Sequence, residues 1–172
     1  MNRIVTGLLI AMALGTAGCG WEKKVKNLSD TEFDHYYALR PFMDDAQRKT
    51  YLKLKTEEER NGYLKELGIW DYFYKYDAEM REQIVAGAVD VGWTKDQVYM
   101  AWGAPHDRAK LVGRAATRSE RLIYRFEGHE DGTIIVWEPD SKTEYKATRL
   151  FRRELILDDD VVAEINEISG WN

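Results

Sequence analysis

A second cysteine, a long apolar run and any low-complexity stretch are all missing from this 172-residue chain. Because there is only one cysteine, no disulfide within the chain can support the fold, which must be held by its own core. Only three prolines occur, whereas Trp and Tyr are frequent, so we expect a chain that is folded nearly throughout. The net charge of −5 argues against a general nucleic-acid binder.

Residues that carry common enzyme chemistry are also scarce. No serine lies in a Gly-x-Ser-x-Gly motif, and the chain has no phosphate-binding glycine loop. Three histidines occur without metal-ligand spacing, namely His35, His106 and His129. His106 could act as a general base with Asp107 as the carboxylate that orients it. Side chains of adjacent residues, however, rarely point in the same direction. Asp44-Asp45 and the acids at 158–160 lack the ligand spacing of an EF-hand loop. We therefore expect a non-enzyme with no metal, cofactor or small-molecule substrate.

The first twenty residues have the pattern of an export signal. A basic start is followed by an apolar stretch from Ile4 to Leu14, which is shorter than the ~18 to 20 residues of a spanning helix. Small residues then lead into Cys19, and Ala17-Gly18-Cys19 resembles the bacterial lipobox. The resemblance implies removal of residues 1–18 and lipidation of Cys19, with residues 19–28 as a tether. Gly20, rather than Asp, implies sorting to the outer membrane, facing the periplasm. The alternative is an ordinary secretory peptide that leaves a free cysteine.

Residues 29–77 are expected to form a helical segment. Capping boxes at 29–32 and 56–59 predict two helix starts. Pro41 suits the first turn of a further helix, and Gly68 predicts the end of the helix that begins near 56.

An aromatic stretch at 69–76 ends this segment, and Trp70, Phe73 and Tyr74 share helical spacing. Two interpretations are open. The aromatic side chains either pack the helical segment onto the second half of the chain or form a surface that recruits a partner.

From residue 78 the pattern predicts the order helix, helix, strand, strand, strand. An apolar stripe predicts the first helix, and a third capping box at 94–97 begins the second. Alternating or β-branched residues predict strands at 122–127, 133–137 and 145–157, with turns at 128–132 and 139–142. The third strand loses its alternation near Arg152-Arg153. Beyond the acids at 158–160, the spacing of Val161, Ile165 and Ile168 is helical.

Charge is unevenly distributed in this half. The basic segment, residues 108–125, contains only one acid, Glu120. Its basic residues are Arg108, Lys110, Arg114, Arg118, Arg121 and Arg125. The acidic tail contains Glu154, Asp158, Asp159, Asp160, Glu164 and Glu167. Either these are solvated faces of one fold that partly neutralise each other, or the basic segment contacts lipid phosphates or an acidic partner.

The residues 92–98, followed by 102–105, resemble the signature of the SmpA/OmlA family, also called BamE-like. The motif positions are Gly92, Thr94, Val98, Trp102, Gly103 and Pro105. The resemblance implies an α+β fold for residues 78–172, with two helices, a three-stranded antiparallel sheet and an acidic C-terminal tail. The same unit occurs in β-lactamase inhibitor proteins, so the fold serves as a binding platform with several uses. The motif residues carry structural roles, and none of them implies catalysis.

These observations predict an outer-membrane-anchored lipoprotein that acts as a non-catalytic binding or scaffold subunit in assembly or maintenance of the cell envelope. The membrane is contacted through the lipid, and an envelope protein is the expected partner. The candidate contact residues are Arg108, Lys110, Arg114, Arg118, Trp70 and Phe73. The alternative is a periplasmic binder or inhibitor of an envelope hydrolase, for which residues 113–117 are the candidate inserting loop.

Overall fold

The computed structural model of the chain describes residues 24–138 and 147–171. The lipobox with Cys19, the first part of the tether, the start of the expected third strand and the turn expected at 139–142 lie outside the described residues. Within them the class is α+β, as the sequence predicted, with helices first and an antiparallel sheet after them.

The helices occupy the chain from residue 30 to residue 102. They are α1 (Asp30–Leu39), α2 (Asp45–Tyr51), α3 (Glu57–Glu66), α4 (Trp70–Tyr74), α5 (Ala78–Val85) and α6 (Lys95–Trp102). A 3₁₀ turn, Arg40–Phe42, follows α1 and has Pro41 in its first turn. Among these residues no helix is both long and apolar enough to cross a membrane.

Local capping signals set most of these helix starts. All three predicted capping boxes are formed, at 29–32, 56–59 and 94–97, with side chain and backbone bonded in both directions. A fourth, in which Asp44 and Gln47 cap α2, was not predicted. Gly68 adopts φ 71° directly after α3, which is the left-handed conformation that ends a helix.

The sheet consists of β1 (Asp107–Leu111), β2 (Ser119–Gly128), β3 (Ile134–Trp137), β4 (Arg149–Asp158) and β5 (Val161–Ser169), all antiparallel. One side of β2 pairs with β4 along its whole length. The other side is shared end to end by β1, at 119–123, and β3, at 125–128. Strand β5 pairs with the free side of β4.

The sequence predicted three strands, and the structure has two more, β1 and β5. The prediction of a helix on Val161, Ile165 and Ile168 is wrong, because these residues lie in β5. Asp159 and Asp160 adopt φ 47° and 65°, so the chain reverses in a two-residue turn and pairs back onto β4. Strand β1 was not predicted, because its sequence, Asp-Arg-Ala-Lys-Leu, carries little apolar signal.

The irregularity predicted near Arg152-Arg153 lies elsewhere. The register shift falls between Ile156 and Leu157. Arg153 keeps the alternation of β4 and faces the core, where its guanidinium lies 5.1 Å from the Phe126 ring and 5.5 Å from the Trp102 ring. The alternation in the sequence is lost because the inward-facing residue Arg153 is charged, but the strand itself continues.

Buried strand residues define the inner face of the sheet, which packs against α6. They are Leu122, Tyr124 and Phe126 on β2 and Phe151, Leu155 and Leu157 on β4. Trp102 of α6 meets Tyr124 and Phe126 edge to face at 5.2 and 5.1 Å. Both polar aromatic groups are satisfied, since Trp102 Nε1 donates to Gly87 O and Tyr124 Oη donates to Gly103 O. The polar groups of these two buried aromatic residues are therefore both paired within the core.

The buried side chains of the helical segment pack around α1 and join the same core as those of α6 and the sheet. His35, only 2% exposed, packs against Trp70 and Phe73 at 5.3 and 6.0 Å and hydrogen-bonds Tyr74. The aromatic stretch thus packs on a helix of its own segment. It also contacts the second half of the chain, because the Arg81 guanidinium lies 4.8 Å from the Tyr74 ring and Tyr76 Oη hydrogen-bonds Thr94 Oγ1 at 3.5 Å. Nearby, Arg60 bonds the buried carboxylate of Glu32. Burial raises the pKa of Glu32, but the hydrogen bonds from Ser29 and Arg60 outweigh this and leave it below its usual value.

Candidate interaction surface

The residues that alternate with the inner face form the outer face of the sheet. Its described members include Arg121, Ile123 and Arg125 on β2, Trp137 on β3, Arg152, Glu154 and Ile156 on β4, and Ile168 on β5. All of them are half-buried. Aliphatic side chains alternate here with arginines, which is a composition typical of contact surfaces and not of a core.

At one end of the outer face four residues form an aromatic–arginine cluster, consisting of His106, Arg125, Trp137 and Trp171. The strand register places Trp137 directly opposite Arg125. The Arg125 guanidinium lies 5.6 Å from the Trp137 ring and 5.4 Å from the Trp171 ring, within the range of cation–π attraction. The two indoles are 5.4 Å apart, and the His106 ring is 5.2 Å from Trp137.

Backbone contacts fix the cluster in place. Trp171 Nε1 donates to Phe126 O at 3.1 Å, and Arg125 donates to Trp171 O at 3.4 Å. At the other side, the His106 N–H donates to Ile123 O at 2.8 Å. Gly170 adopts φ 80°, a conformation that favours glycine, and turns the chain after β5. The C-terminal Trp171 is therefore held against β2.

Three polar atoms of the cluster are buried without a hydrogen-bond partner in the part of the chain that the structure describes. They are Trp137 Nε1, Arg125 Nε and His106 Nδ1. Leaving such an atom unsatisfied costs about 1 to 3 kcal/mol, so most buried polar atoms of native proteins are paired with protein groups or ordered water. Atoms of this kind also occur elsewhere among the described residues, on Arg121 of the outer face and on His35, Arg60 and Asn61 of the helical segment. In the aromatic–arginine cluster three of them lie around one pair of indoles, whereas Trp102 and Tyr124 on the inner face have acceptors.

The charge state of His106 follows from the same geometry. Burial lowers the pKa of His106, the positive charge of Arg125 lowers it further, and Asp107 opposes both effects. The Asp107 carboxylate accepts from the backbone N–H of Arg108 at 2.7 Å. These effects favour the neutral form of the His106 ring, which packs on the Trp137 indole.

Beside the cluster an ion-pair ladder crosses β2 and β4. Glu154 lies 3.1 Å from Arg152 and 3.5 Å from Arg121. The carboxylate is only 15% exposed, which limits solvent screening of this ladder. The ladder orders the arginine side chains of the outer face next to the aromatic–arginine cluster.

The predicted basic segment is divided between two environments. Arg114 pairs with Asp158 and Glu164, at 2.8 and 2.9 Å, and Arg118 pairs with Asp160 at 2.7 Å. Arg125 instead lies in the aromatic–arginine cluster, and Arg108 and Lys110 are exposed on β1. The pairing favours the interpretation that opposite charges of one fold neutralise each other, at least around the loop 112–118.

The other predicted contact residues do not join the cluster. Phe73 is 4% exposed and belongs to the helical core. Trp70 is half-buried, stacks on Tyr74 at 4.0 Å and has the Lys65 ammonium 4.7 Å above its ring. Burial leaves Phe73 no surface to offer a partner in this conformation.

The motif residues lie around α6. Thr94 caps the helix, whereas Val98 and Trp102 are buried in the core. Gly92 adopts φ 89° and donates its N–H to Val162 O, while Gly103 adopts φ 79° as the C-cap. These positions join the helix to the sheet and leave the outer face free of motif residues.

Trp137 and Trp171, the two indoles of the cluster, were missed by sequence reasoning. They are 34 positions apart and share no local motif. The available signal was a tryptophan at the end of a short strand, opposite a strand whose arginines alternate with apolar residues.

Comparison with known proteins adds no assignment, since neither protein-family models nor curated proteins nor solved structures gave a match to this chain.

Proposed function

We propose that this chain is a lipid-anchored lipoprotein of the outer membrane, with a BamE-like domain, that binds another envelope protein through the outer face of its sheet. It acts as a non-catalytic binding or scaffold subunit in envelope assembly or maintenance. The observation that carries the binding proposal is the aromatic–arginine cluster, with its three unsatisfied polar atoms.

The composition of the cluster supports binding. Tryptophan and arginine are the residues most enriched at interface hot spots, because they combine a large apolar area with directed hydrogen bonds. Here two indoles and a guanidinium lie together on a half-buried surface. A partner that supplies hydrogen-bond acceptors would cover the rings and compensate the polar atoms together.

Rigidity of the platform supports the same proposal. Arg125 lies on β2, which is hydrogen-bonded on both sides, and the rear of this strand packs on Trp102. A surface that is ordered before binding loses little conformational entropy when the complex forms.

Anchoring rests on the sequence. The lipobox-like Ala17-Gly18-Cys19 supports lipidation, and the polar residues after Cys19 support a short tether. A fully processed lipoprotein carries more than one acyl chain, which is enough for stable attachment. The anchor would confine the outer face to partners at the same membrane.

The test is affinity purification of tagged full-length protein from detergent-solubilised envelopes, beside a Cys19→Ala control. We expect envelope-assembly proteins to be recovered with the lipidated chain and to be reduced in the control. Absence of any specific partner from the lipidated sample would contradict the proposal. Equal recovery of the partner with Cys19→Ala would show that binding does not require the lipid anchor.

The second candidate function, inhibition of an envelope hydrolase, is supported by the loop 112–118. Val112 is 95% exposed, while the remainder of the loop is held by Arg114, Arg118 and the Asp159 carboxylate, which accepts from the Arg118 N–H. An exposed apolar side chain at the start of a fixed loop is suited to contact with a cleft. Recovery of a single hydrolase, lost on Val112→Asp, would favour this function.

A further inference from the structure

A groove on the helical side of the molecule forms a second candidate surface, made of residues that the outer face does not use. It lies between α1, α5 and α6, where Phe33, Asp34 and Val85 surround a small cavity of about 40 Å³. Its floor includes Ala38, Ile84 and Ala101, all buried. We name this the α1–α5 groove.

Two large apolar side chains border this groove while exposed to solvent. Phe33 is 40% exposed and Val85 is 39% exposed. They come from helices about fifty positions apart and meet at one cavity. Covering such side chains contributes roughly 25 cal/mol for each Å² removed from water, so the groove favours an apolar occupant.

The cavity restricts the size of that occupant. A water molecule needs roughly 10 to 15 Å³ on this measure, and 40 Å³ exceeds this only a few-fold. The two alanines on the floor leave the space that a larger side chain would fill. The branched end of one aliphatic side chain matches the cavity, whereas a cofactor does not.

Asp34 adds a charge requirement. Its carboxylate lines the groove, half-buried, and within the described residues it has neither an ion pair nor a hydrogen bond. Burial and the negative charge of Asp30 raise the pKa of Asp34. A cation placed against the carboxylate would relieve both effects.

We propose that the α1–α5 groove docks a segment of a partner protein that presents one aliphatic side chain and, beside it, one lysine or arginine. Asp30 and Asp34 give this side of the groove a negative charge, which disfavours an anionic lipid headgroup as the occupant. A second copy of this chain and a lipid surface are the alternative occupants that the test distinguishes. The proposal does not rest on the function assigned to the outer face.

The test places a photo-reactive benzoylphenylalanine at position 33 of the full chain in its native envelope, followed by identification of the cross-linked peptide. The matched control is position 72, because Tyr72 is 38% exposed, nearly as much as Phe33, but lies on α4. We expect a discrete adduct from position 33 alone, whose peptide contains an aliphatic residue next to a lysine or arginine.

Variants decide whether the adduct uses the proposed contacts. Asp34→Lys should lower the adduct yield about tenfold or more, and Asp34→Asn should lower it less, because only the first introduces repulsion. Val85→Asp should act in the same direction through the apolar side of the groove. Thermal unfolding of each variant shows whether the fold is kept, and only folded variants are scored.

Several results would overturn the proposal. These are an adduct to a second copy or to lipid, an adduct whose peptide lacks a basic residue, an adduct unaffected by Asp34→Lys in folded protein, or no adduct from position 33.

Discussion

The two faces of the sheet are built from alternate residues of the same strands, yet they differ in burial and in hydrogen bonding. On the inner face Trp102 and Tyr124 each find a carbonyl acceptor, and the apolar side chains of β2 and β4 are buried. On the outer face the aromatic–arginine cluster remains half-buried, with polar atoms that lack a partner. The inner face therefore belongs to the core, and the outer face carries the features on which the binding proposal rests.

Two arginines show this difference most clearly. Arg153 on the inner side lies over aromatic rings and its Nε donates to Glu167 at 3.1 Å. Arg125 on the outer face also lies over aromatic rings, but its Nε has no acceptor among the described residues. The stacking is alike, and only the satisfaction of hydrogen bonds differs.

The largest expected effect concerns stability. Phe126→Ala should lower the free energy of unfolding by about 3 to 5 kcal/mol, because it empties a buried site between Trp102 and Phe151. Trp137→Ala should cost no more than about 2 kcal/mol, since the ring is half-buried. Urea unfolding of both variants measures the contrast. Equal losses would assign the cluster to the core.

The second effect concerns binding. Arg125→Ala should weaken the partner complex by about 2 kcal/mol, or roughly thirtyfold, since it removes the central group of the cluster. Arg121→Ala, on the same strand and face, should change the affinity less than about threefold. Titration of the recovered partner against each variant provides the measurement, and similar losses would indicate diffuse electrostatics in place of a hot spot.

A third expectation concerns pH. Burial lowers the pKa of His35, and burial together with Arg125 lowers that of His106. Both groups favour the neutral form in the folded state, so stability is complete above the unfolded pKa of about 6.5 and falls as the pH drops below it. The urea midpoint should therefore decrease between pH 7.5 and 5.5.

The histidine that dominates this decrease should be the core one. His35→Gln should flatten the pH dependence more than His106→Gln, because His35 is almost fully buried. The opposite order would show that the outer face, and not the helical core, resists protonation more strongly.

The smallest effect lies in the β4–β5 turn. Asp160 adopts φ 65°, which glycine tolerates and alanine does not. Asp160→Gly should therefore be about 1 kcal/mol more stable than Asp160→Ala, and thermal unfolding of the pair would show the difference. Identical stabilities would mean that the turn relaxes without the left-handed conformation.

What the sequence predicted well was local. The capping boxes at 29–32, 56–59 and 94–97 are decided by residues three positions apart, and all of them form. Strand β5 was misassigned because the spacing of Val161, Ile165 and Ile168 also fits a helix. Its pairing with β4 depends on a turn of two aspartates, without the Asn-Gly signal of such turns.

The candidate surface was beyond sequence reasoning for a similar reason. Arg125, Trp137 and Trp171 meet only because β2 pairs with β3 and the chain turns back after β5. Composition revealed the basic segment and the acidic tail, but it gave no means of knowing that Arg114 and Arg118 are neutralised by the β4–β5 hairpin. Because these arginines form ion pairs within the fold, the outer face became the candidate site in place of the basic segment.

The most direct test of this account compares partner recovery by tagged full-length Trp137→Ala and Tyr72→Ala, with quantitative mass spectrometry of the solubilised envelope. Both variants remove an aromatic side chain that is partly exposed, but only Trp137 belongs to the outer face. We expect Trp137→Ala to lose the partner and Tyr72→Ala to retain it, with both chains folded. Retention of the partner by folded Trp137→Ala would contradict the claim that the outer face is the binding surface.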